Sequence, residues 1–150
     1  MILITGGRGK LGKELTKIFP DALAPSRQEM DIIDSNSVRS YIAKHKPALI
    51  IHTAAMTSVT ECEQEKELAF KTNYQGTLNI IKSCEEFVSN CYFVYISTAC
   101  VFKGDRGNYT EDDIPNPKNF YSLTKLLGEI VVKNSNLPKW LIIRTNFATR

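Results

Sequence analysis

The glycine-rich stretch near the amino terminus constrains the fold of this chain more than any other feature. The apolar run at residues 2–4 is typical of a buried strand in a parallel sheet, which is covered on both faces. Glycines follow at positions 7, 9 and 12 in the pattern G-x-G-x-x-G, and apolar residues then recur with a helical period from Lys10. This order predicts a loop that holds a dinucleotide at a helix N-terminus. A tight strand-to-helix turn is the alternative for the glycines alone.

Apolar strands alternate with amphipathic helices along the rest of the chain. We expect strands at 22–24, 48–51, 92–96 and 140–144, and helices after a cap at Asp34 or Ser35, over 61–70, from Asn73 onward and over 120–134. This alternation predicts one α/β domain over residues 1–150, a Rossmann-type doubly wound parallel sheet with helices on both faces. The stretch 103–119, rich in Gly, Asp, Asn and Pro, is predicted to be a loop.

Composition limits the classes of function. The formal charge of +3 is too small, and the basic residues too dispersed, to indicate nucleic-acid binding. No apolar run approaches the roughly 18 residues of a membrane span, and the amino terminus has the pattern of a core strand rather than of a signal sequence. We therefore expect a cytoplasmic protein without membrane contact. The cysteines lack metal-ligand spacing, so we expect no metal and no disulfide but buried thiols at Cys62, Cys84, Cys91 and Cys100.

Two further segments predict how a dinucleotide is held. Ser26 and Arg27 follow the expected second strand, where an arginine suits the 2′-phosphate of NADPH and an acid would suit the ribose of NADH. A solvated loop arginine is the alternative, so NADH stays open. Small residues after the strand 48–51 leave room at the carboxyl edge of the sheet, where ligands bind. His52, which begins this segment, is expected to be a hydrogen-bonded structural residue rather than a base.

Tyr121 and Lys125 form the expected catalytic pair, because residues four apart on one helix share a face. An ammonium beside a phenol stabilises the phenolate and lowers the tyrosine pKa from about 10. Tyr121 would then donate a proton to a carbonyl oxygen that receives hydride. Thr98, at the end of the preceding strand, is placed to hydrogen-bond the same oxygen. A surface Tyr–Lys pair is the alternative.

These motifs together resemble the short-chain dehydrogenase/reductase superfamily, in its extended, sugar-nucleotide branch. Residues 5–12 resemble its cofactor loop, and Ser97-Thr98 with the stretch 121–125 resembles its catalytic set. Within that branch the chain is most similar to the dTDP-4-dehydrorhamnose reductase family. The features that carry this similarity run along the whole chain: Asp31-Ile-Ile-Asp34, the stretch 52–59, Glu63, Asn73, Val101-Phe102-x-Gly104 and Arg144-Thr145.

The resemblance implies reduction of the C4 ketone of dTDP-4-dehydro-L-rhamnose, with NADPH or NADH as hydride donor. Tyr121 would protonate the nascent alkoxide, Lys125 would bind the nicotinamide ribose and tune Tyr121, and Thr98 would orient the ketone. The sugar would lie near Thr57 and Val59. With the glycine loop and Arg27 included, the expected cofactor contacts are Gly6, Gly9, Lys10, Leu11, Gly12, Arg27, Asp31, Ile32, Thr53, Ala54, Ala55, Tyr121 and Lys125.

Three departures from the family pattern weaken the expected activity. Ala99 and Cys100 stand where the family has Asp-Tyr, and Thr60 stands where it commonly has Asp. The chain also has about half the family's length, so we expect the carboxyl-terminal substrate lobe to be lacking. We therefore expect weak turnover or none from this chain alone. The alternatives are a non-catalytic NADP(H)-binding regulatory module and a sugar-nucleotide epimerase or dehydratase relative, and a homodimer is left open.

Overall fold

Within residues 1–146, the sheet contains four parallel strands that pair in the order of the sequence. The computed structural model describes residues 1–146; the last four residues of the domain expected over 1–150 lie outside the described part. The strands are β1 (Ile2–Thr5), β2 (Leu49–His52), β3 (Tyr92–Thr98) and β4 (Lys139–Thr145). β1 pairs with β2, β2 with β3 and β3 with β4, all in parallel. The predicted parallel α/β sheet is confirmed.

The connecting segments carry the helices α1 (Lys10–Ile18), α2 (Ser35–His45), α3 (Val59–Gln64), α4 (Lys66–Phe70), α5 (Gly76–Phe87) and α6 (Phe120–Lys133). The helix predicted over 61–70 is therefore two helices, and a π-helical turn (Lys71–Gln75) joins α4 to α5. Side-chain caps fix the starts of α2 and α6, where Asp34 accepts the N–H of Asn36 at 2.9 Å and Asn119 accepts the N–H of Ser122 at 2.8 Å. A short 3₁₀ turn (Ala99–Val101) follows β3.

The strand expected at residues 22–24 does not form. Leu23 alone pairs with β1, through bonds from its N–H to the Ile2 carbonyl and from the Ile4 N–H to its own carbonyl, both 2.8 Å. Pro20 and Pro25 bracket the segment, and proline cannot donate to a ladder, so the pairing stays at one residue. The bridge still places Leu23 on the side of β1 opposite β2, so the strand order reverses at β1. Ligands bind at such a reversal, outside the carboxyl ends of the strands.

The main core lies between one face of the sheet and the helices α2, α5 and α6. Leu3, Ile50 and Phe93 alternate onto this face and are fully buried, and Val38 of α2 packs in the same cluster. Ile4 points to the opposite face and is also fully buried where α1 packs against β1. Helices thus lie on both faces of the sheet, as predicted, although α1 covers only β1 on the second face and Leu141 and Ile143 of β4 are exposed.

None of the helices within residues 1–146 combines the length and the apolar character that a membrane span requires. Within the same range, His, Cys, Asp and Glu form no group of three or more that could hold a metal. Buried thiols are confirmed at Cys62, Cys84 and Cys91. The prediction was wrong for Cys100, which is exposed because it lies in the short turn beyond β3 rather than between the sheet and a helix.

Candidate functional site

A cleft of about 370 Å³ opens at the carboxyl ends of β1 and β2, beside the reversal of strand order. Eight of the predicted cofactor residues line it: Gly6, Gly9, Arg27, Asp31, Ile32, Thr53, Ala54 and Ala55. Residues 10–12 form the first turn of α1 next to the cleft and are not part of its lining. The lining also includes residues that sequence reasoning did not assign as contacts: Thr5, Gly7, Arg8, Pro25, Ser26, Met30, Ile33 and Thr72.

The glycine loop closes tightly over the end of β1. Gly6 has a φ of 71°, and a Cβ there would lie 2.7 Å from the Ala54 nitrogen. A Cβ on Gly12 would lie 2.2 Å from the Gly6 carbonyl oxygen, so α1 approaches the loop backbone as only glycine allows. Since α1 begins at Lys10, the first N–H groups of the helix have no acceptor within it. They carry partial positive charge at the edge of the cleft, which suits a phosphate.

Two arginines lie along the wall of the cleft. Arg27 donates from Nε to Asp31 at 3.1 Å, and the other Asp31 oxygen accepts the Ile33 N–H at 3.1 Å. This bond places the guanidinium of Arg27, yet 70% of the side chain remains exposed and open to a ligand. Arg8 comes from the glycine loop itself. Sequence reasoning missed Arg8, although its position between two glycines of the motif was the available signal.

His52 links the cleft to the helices behind the sheet. It is 1% exposed; its Nδ1 lies 2.6 Å from the Thr5 hydroxyl and its Nε2 lies 3.0 Å from the Thr77 hydroxyl. Because Thr77 donates its own proton to the Asn73 carbonyl, it accepts from Nε2–H, and Nδ1 accepts from Thr5. Burial, aided by the charge of Lys125, lowers the pKa of His52 to about 3. The predicted structural role is confirmed, with a neutral imidazole.

We expect this neutral histidine to weaken folding in acid. The pKa of His52, about 3 in the folded chain, lies below the ordinary 6.5, so the unfolded chain binds the proton more readily as pH falls. The free energy of unfolding should then decrease below pH 6.5, by about 1.6 kcal/mol between pH 6.5 and 5 from this residue. Urea unfolding at the two pH values measures the decrease. His52→Gln should show a smaller decrease than the native chain and than His45→Gln, and an equal decrease in all three proteins would contradict the assignment.

The predicted catalytic residues meet where β3 ends and α6 begins. Thr98 is 4% exposed, and its hydroxyl accepts the Cys100 N–H at 3.1 Å, which fixes the turn after β3. Tyr121 is partly buried in the first turn of α6, near enough to Thr98 for the threonine to lower the pKa of the phenol. Lys125 follows one turn later on α6 and is 3% exposed. A proton donor and a second hydroxyl are thereby held side by side at the carboxyl edge of the sheet.

The expected lowering of the Tyr121 pKa by Lys125 is wrong for this structure. Burial raises the pKa of Tyr121, and the interaction with Thr98 opposes the rise. Lys125 instead directs its ammonium over the ring of Tyr95, with Nζ 4.2 Å from the ring centroid. Tyr121 therefore stays protonated at neutral pH, which is the form that can donate a proton.

Asn73, in the π-helical turn, ties the cleft to the catalytic helix. Its Nδ2 donates to the Met56 carbonyl at 3.0 Å and to the Thr124 hydroxyl at 2.9 Å, while its Oδ1 accepts the Met56 N–H at 2.8 Å. Met56 directly follows Ala55 of the cleft, and Thr124 directly precedes Lys125. The sequence marks Asn73 only as the start of a predicted helix and as part of the family resemblance; its contacts show that it positions both parts of the site.

Thr57 and Val59, expected near the sugar, are both exposed. Thr57 lies in the loop after β2, and Val59 is the first residue of α3. Glu63 of α3 accepts the Phe120 N–H at 2.7 Å, so α3 is held against the start of α6. This contact places the loop after β2 on the same side of the sheet edge as Tyr121.

Known proteins of one family match almost the whole chain. The family model described as the RmlD substrate binding domain matches residues 1–148. The chain belongs to the RmlD family. It is 35% identical over 148 residues to the dTDP-4-dehydrorhamnose reductase of Streptomyces griseus, covering 95% of this chain and 48% of that protein. It matches the structure of dTDP-4-dehydrorhamnose reductase from Bacillus anthracis in complex with NADP at a TM-score of 0.90 and 33% identity, covering 99% of this chain and 56% of that one.

A relative with a different name matches nearly as well. The chain is 33% identical to methionine adenosyltransferase 2 subunit beta of Bos taurus, covering 91% of this chain and 43% of that protein. The chain thus spans about half the length of the curated relatives it matches. Membership in the RmlD family confirms the resemblance to dTDP-4-dehydrorhamnose reductases.

Proposed function

We propose that this chain is the NADPH-binding part of an oxidoreductase of the dTDP-4-dehydrorhamnose reductase type. The observation that carries the proposal is the cleft under the glycine loop at the reversal of strand order, joined through Asn73 to Thr98, Tyr121 and Lys125. The cleft fits a dinucleotide because glycine backbone, a helix N-terminus and arginines converge there. The relative from Bacillus anthracis, whose structure contains NADP, supports the same cofactor.

Different parts of the cleft hold different parts of NADPH in this proposal. The pyrophosphate meets the N–H groups at the start of α1, approached across Gly6 and Gly9. Arg27 binds the 2′-phosphate, since a guanidinium is always charged and matches phosphate geometry. Asp31 and Ile32 contact the adenine. The cofactor also contacts the lining of the cleft at Thr53, Ala54 and Ala55.

The chemistry proposed for the site is reduction of the C4 ketone of dTDP-4-dehydro-L-rhamnose. NADPH, when bound, supplies the hydride. Thr98 donates a hydrogen bond that orients the ketone, and Tyr121 donates its phenolic proton to the oxygen, which becomes the C4 hydroxyl. Lys125 binds the nicotinamide ribose. Thr57 and Val59 lie toward the sugar, and we expect slow turnover because Ala99 and Cys100 supply neither the acid nor the phenol of the family pattern.

Arg27 provides the test of cofactor choice. We expect Arg27→Ala to weaken NADPH binding by about 10-fold or more and to leave NADH binding within about twofold, because a hydrogen bond to a charged group contributes about 1.5–3 kcal/mol. Calorimetric titration of each variant with both cofactors measures the change. Arg39→Ala is the matched control, since Arg39 lies on α2 and pairs with Glu86.

The variant Arg8→Ala tests whether the second arginine of the cleft binds the 2′-phosphate. A selective loss of NADPH binding in Arg8→Ala, with Arg27→Ala unchanged, would assign the 2′-phosphate to the glycine-loop arginine instead. An equal loss of NADPH and NADH in Arg27→Ala would contradict the assignment of the 2′-phosphate to Arg27.

A second candidate function is a non-catalytic NADP(H)-binding module. Ala99 and Cys100, which replace the family's Asp-Tyr, favour it, as does the similarity to a protein named as a subunit of another enzyme. This candidate keeps the cleft but gives Tyr121 no reaction to perform, so turnover separates the two candidates. A homodimer and a cytoplasmic location remain predictions.

A further inference from the structure

A buried carboxylate lies directly behind Lys125. Glu129 is 0% exposed and lies one turn further along α6, on the same face as Lys125. It accepts hydrogen bonds from Ser97 Oγ at 2.6 Å, from Arg144 Nε at 2.9 Å and from Arg144 Nη2 at 2.7 Å. Ser97 belongs to β3 and Arg144 to β4, so three elements fix this side chain. Two of these three bonds come from the Arg144 guanidinium, and such charge-assisted hydrogen bonds are among the strong ones in proteins.

Lys125 needs a compensating charge where it lies. Its side chain is almost fully buried, and its ammonium contacts the face of the Tyr95 ring. Burying an ammonium without an opposite charge is costly, and such groups lose their proton instead. Burial lowers the pKa of Lys125 to about 7, and the negative charge of Glu129 opposes this lowering.

In the described part of the chain, the other charged or titratable groups around Lys125 contribute no negative charge. Burial keeps the imidazole of His52 neutral because it lowers the pKa of that group to about 3. Burial also raises the pKa of Tyr95 and so keeps its phenol neutral. Arg144, which pairs with Glu129, is itself a cation. Taken by element, these groups are His52 of β2, Tyr95 of β3, Arg144 of β4 and Tyr121 of α6 itself.

We propose that Glu129 is a positioning residue for Lys125: it places a fixed negative charge one helical turn away from the ammonium. Ser97 and Arg144 hold the Glu129 side chain in place. The functional meaning rests on the proposed contact of Lys125 with the cofactor ribose. An ammonium can donate three hydrogen bonds and carries charge toward an anionic dinucleotide. A neutral amine at the same position has neither property.

The test is the titration of Lys125 in Glu129→Gln, which keeps the size of the side chain and removes its charge. Lysine is labelled with ¹³C at Cε, and the Lys125 signal is identified by its loss in Lys125→Met. The midpoint is expected to fall by about one pH unit or more from its native value. A midpoint that rises, or that falls by less than about half a unit, overturns the proposal.

Two variants separate the charge from a structural effect. Ser97→Ala removes one hydrogen bond to Glu129 and keeps the charge, so its midpoint should stay within about half a unit of the native value. Glu129→Gln combined with Arg144→Gln leaves neither charge unpaired and serves if the single variant does not fold. Its Lys125 midpoint should also fall, and a native midpoint there would overturn the proposal.

The titration distinguishes this inference from the proposed function because it requires no cofactor. A lower midpoint in Glu129→Gln, together with a native chain that does not bind NADPH, would contradict the proposed function and leave the charge placement intact. When NADPH binds, its affinity for Glu129→Gln should decline with rising pH at a lower pH than in the native chain. The offset between the two profiles should equal the shift of the Lys125 midpoint.

Discussion

Replacing Gly12 with alanine is expected to abolish most NADPH binding by this chain. The added methyl would lie 2.2 Å from the Gly6 carbonyl oxygen and 2.7 Å from the Gly7 Cα, both backbone atoms. Gly6 is itself packed closely against the backbone of Ala54. The first turn of α1 must therefore move away from the loop that presents it to the phosphates. Each hydrogen bond from this turn to a charged phosphate contributes about 1.5–3 kcal/mol, so the loss of one or two of them should reduce the NADPH affinity measured by calorimetry by about 100-fold.

Gly107→Ala is the matched control for this substitution. A Cβ at Gly107 meets nothing within 4 Å, so its NADPH affinity should stay within about twofold of the native value. Circular dichroism checks that both variants remain folded. A folded Gly12→Ala protein that binds NADPH as the native chain does would show that the glycine loop is not the phosphate site.

Replacing Tyr121 with phenylalanine is expected to remove most of whatever reductase activity the chain has. The variant keeps the ring packing beside Thr98 and loses the phenolic proton, and a general acid contributes about 10²–10⁴-fold to a rate. NADPH oxidation with dTDP-4-dehydro-L-rhamnose is the assay, and NADPH affinity should stay within about twofold. Tyr92→Phe is the matched control, because Tyr92 is exposed at the opposite end of β3.

The result for Tyr121→Phe is interpreted against the turnover of the native chain. Slow native turnover that Tyr121→Phe abolishes supports the reductase proposal. Equal turnover in the native and Tyr121→Phe proteins would refute Tyr121 as the proton donor. Native NADPH binding with no turnover would favour the non-catalytic module instead.

The elements that sequence alone predicts are those with a strong local pattern. The strand, glycine loop and helix at residues 2–18 are marked by apolar residues and glycines within a short stretch, and Asp34 marks the start of α2. The pairing of Leu23 depends instead on Pro20 and Pro25, which flank its segment and cannot donate hydrogen bonds to a neighbouring strand. The strand expected at residues 22–24 is therefore a single bridge.

The site could be predicted in outline because its residues follow strand ends, which meet at one edge of a parallel sheet. Its electrostatics could not. The direction of the Tyr121 pKa depends on burial and on where the Lys125 ammonium points, and neither is visible in the four-residue spacing. The cluster around Glu129 joins α6, β3 and β4, so no local pattern reveals it.

Calorimetric titration of the native 150-residue chain with NADPH, and in parallel with NADH, tests the cofactor cleft most directly. The glycine loop, the start of α1 and Arg27 predict binding at one site per chain, with NADPH bound more tightly than NADH. Binding of neither cofactor by the folded chain would contradict the assignment of this cleft, and tighter binding of NADH would contradict the role of Arg27.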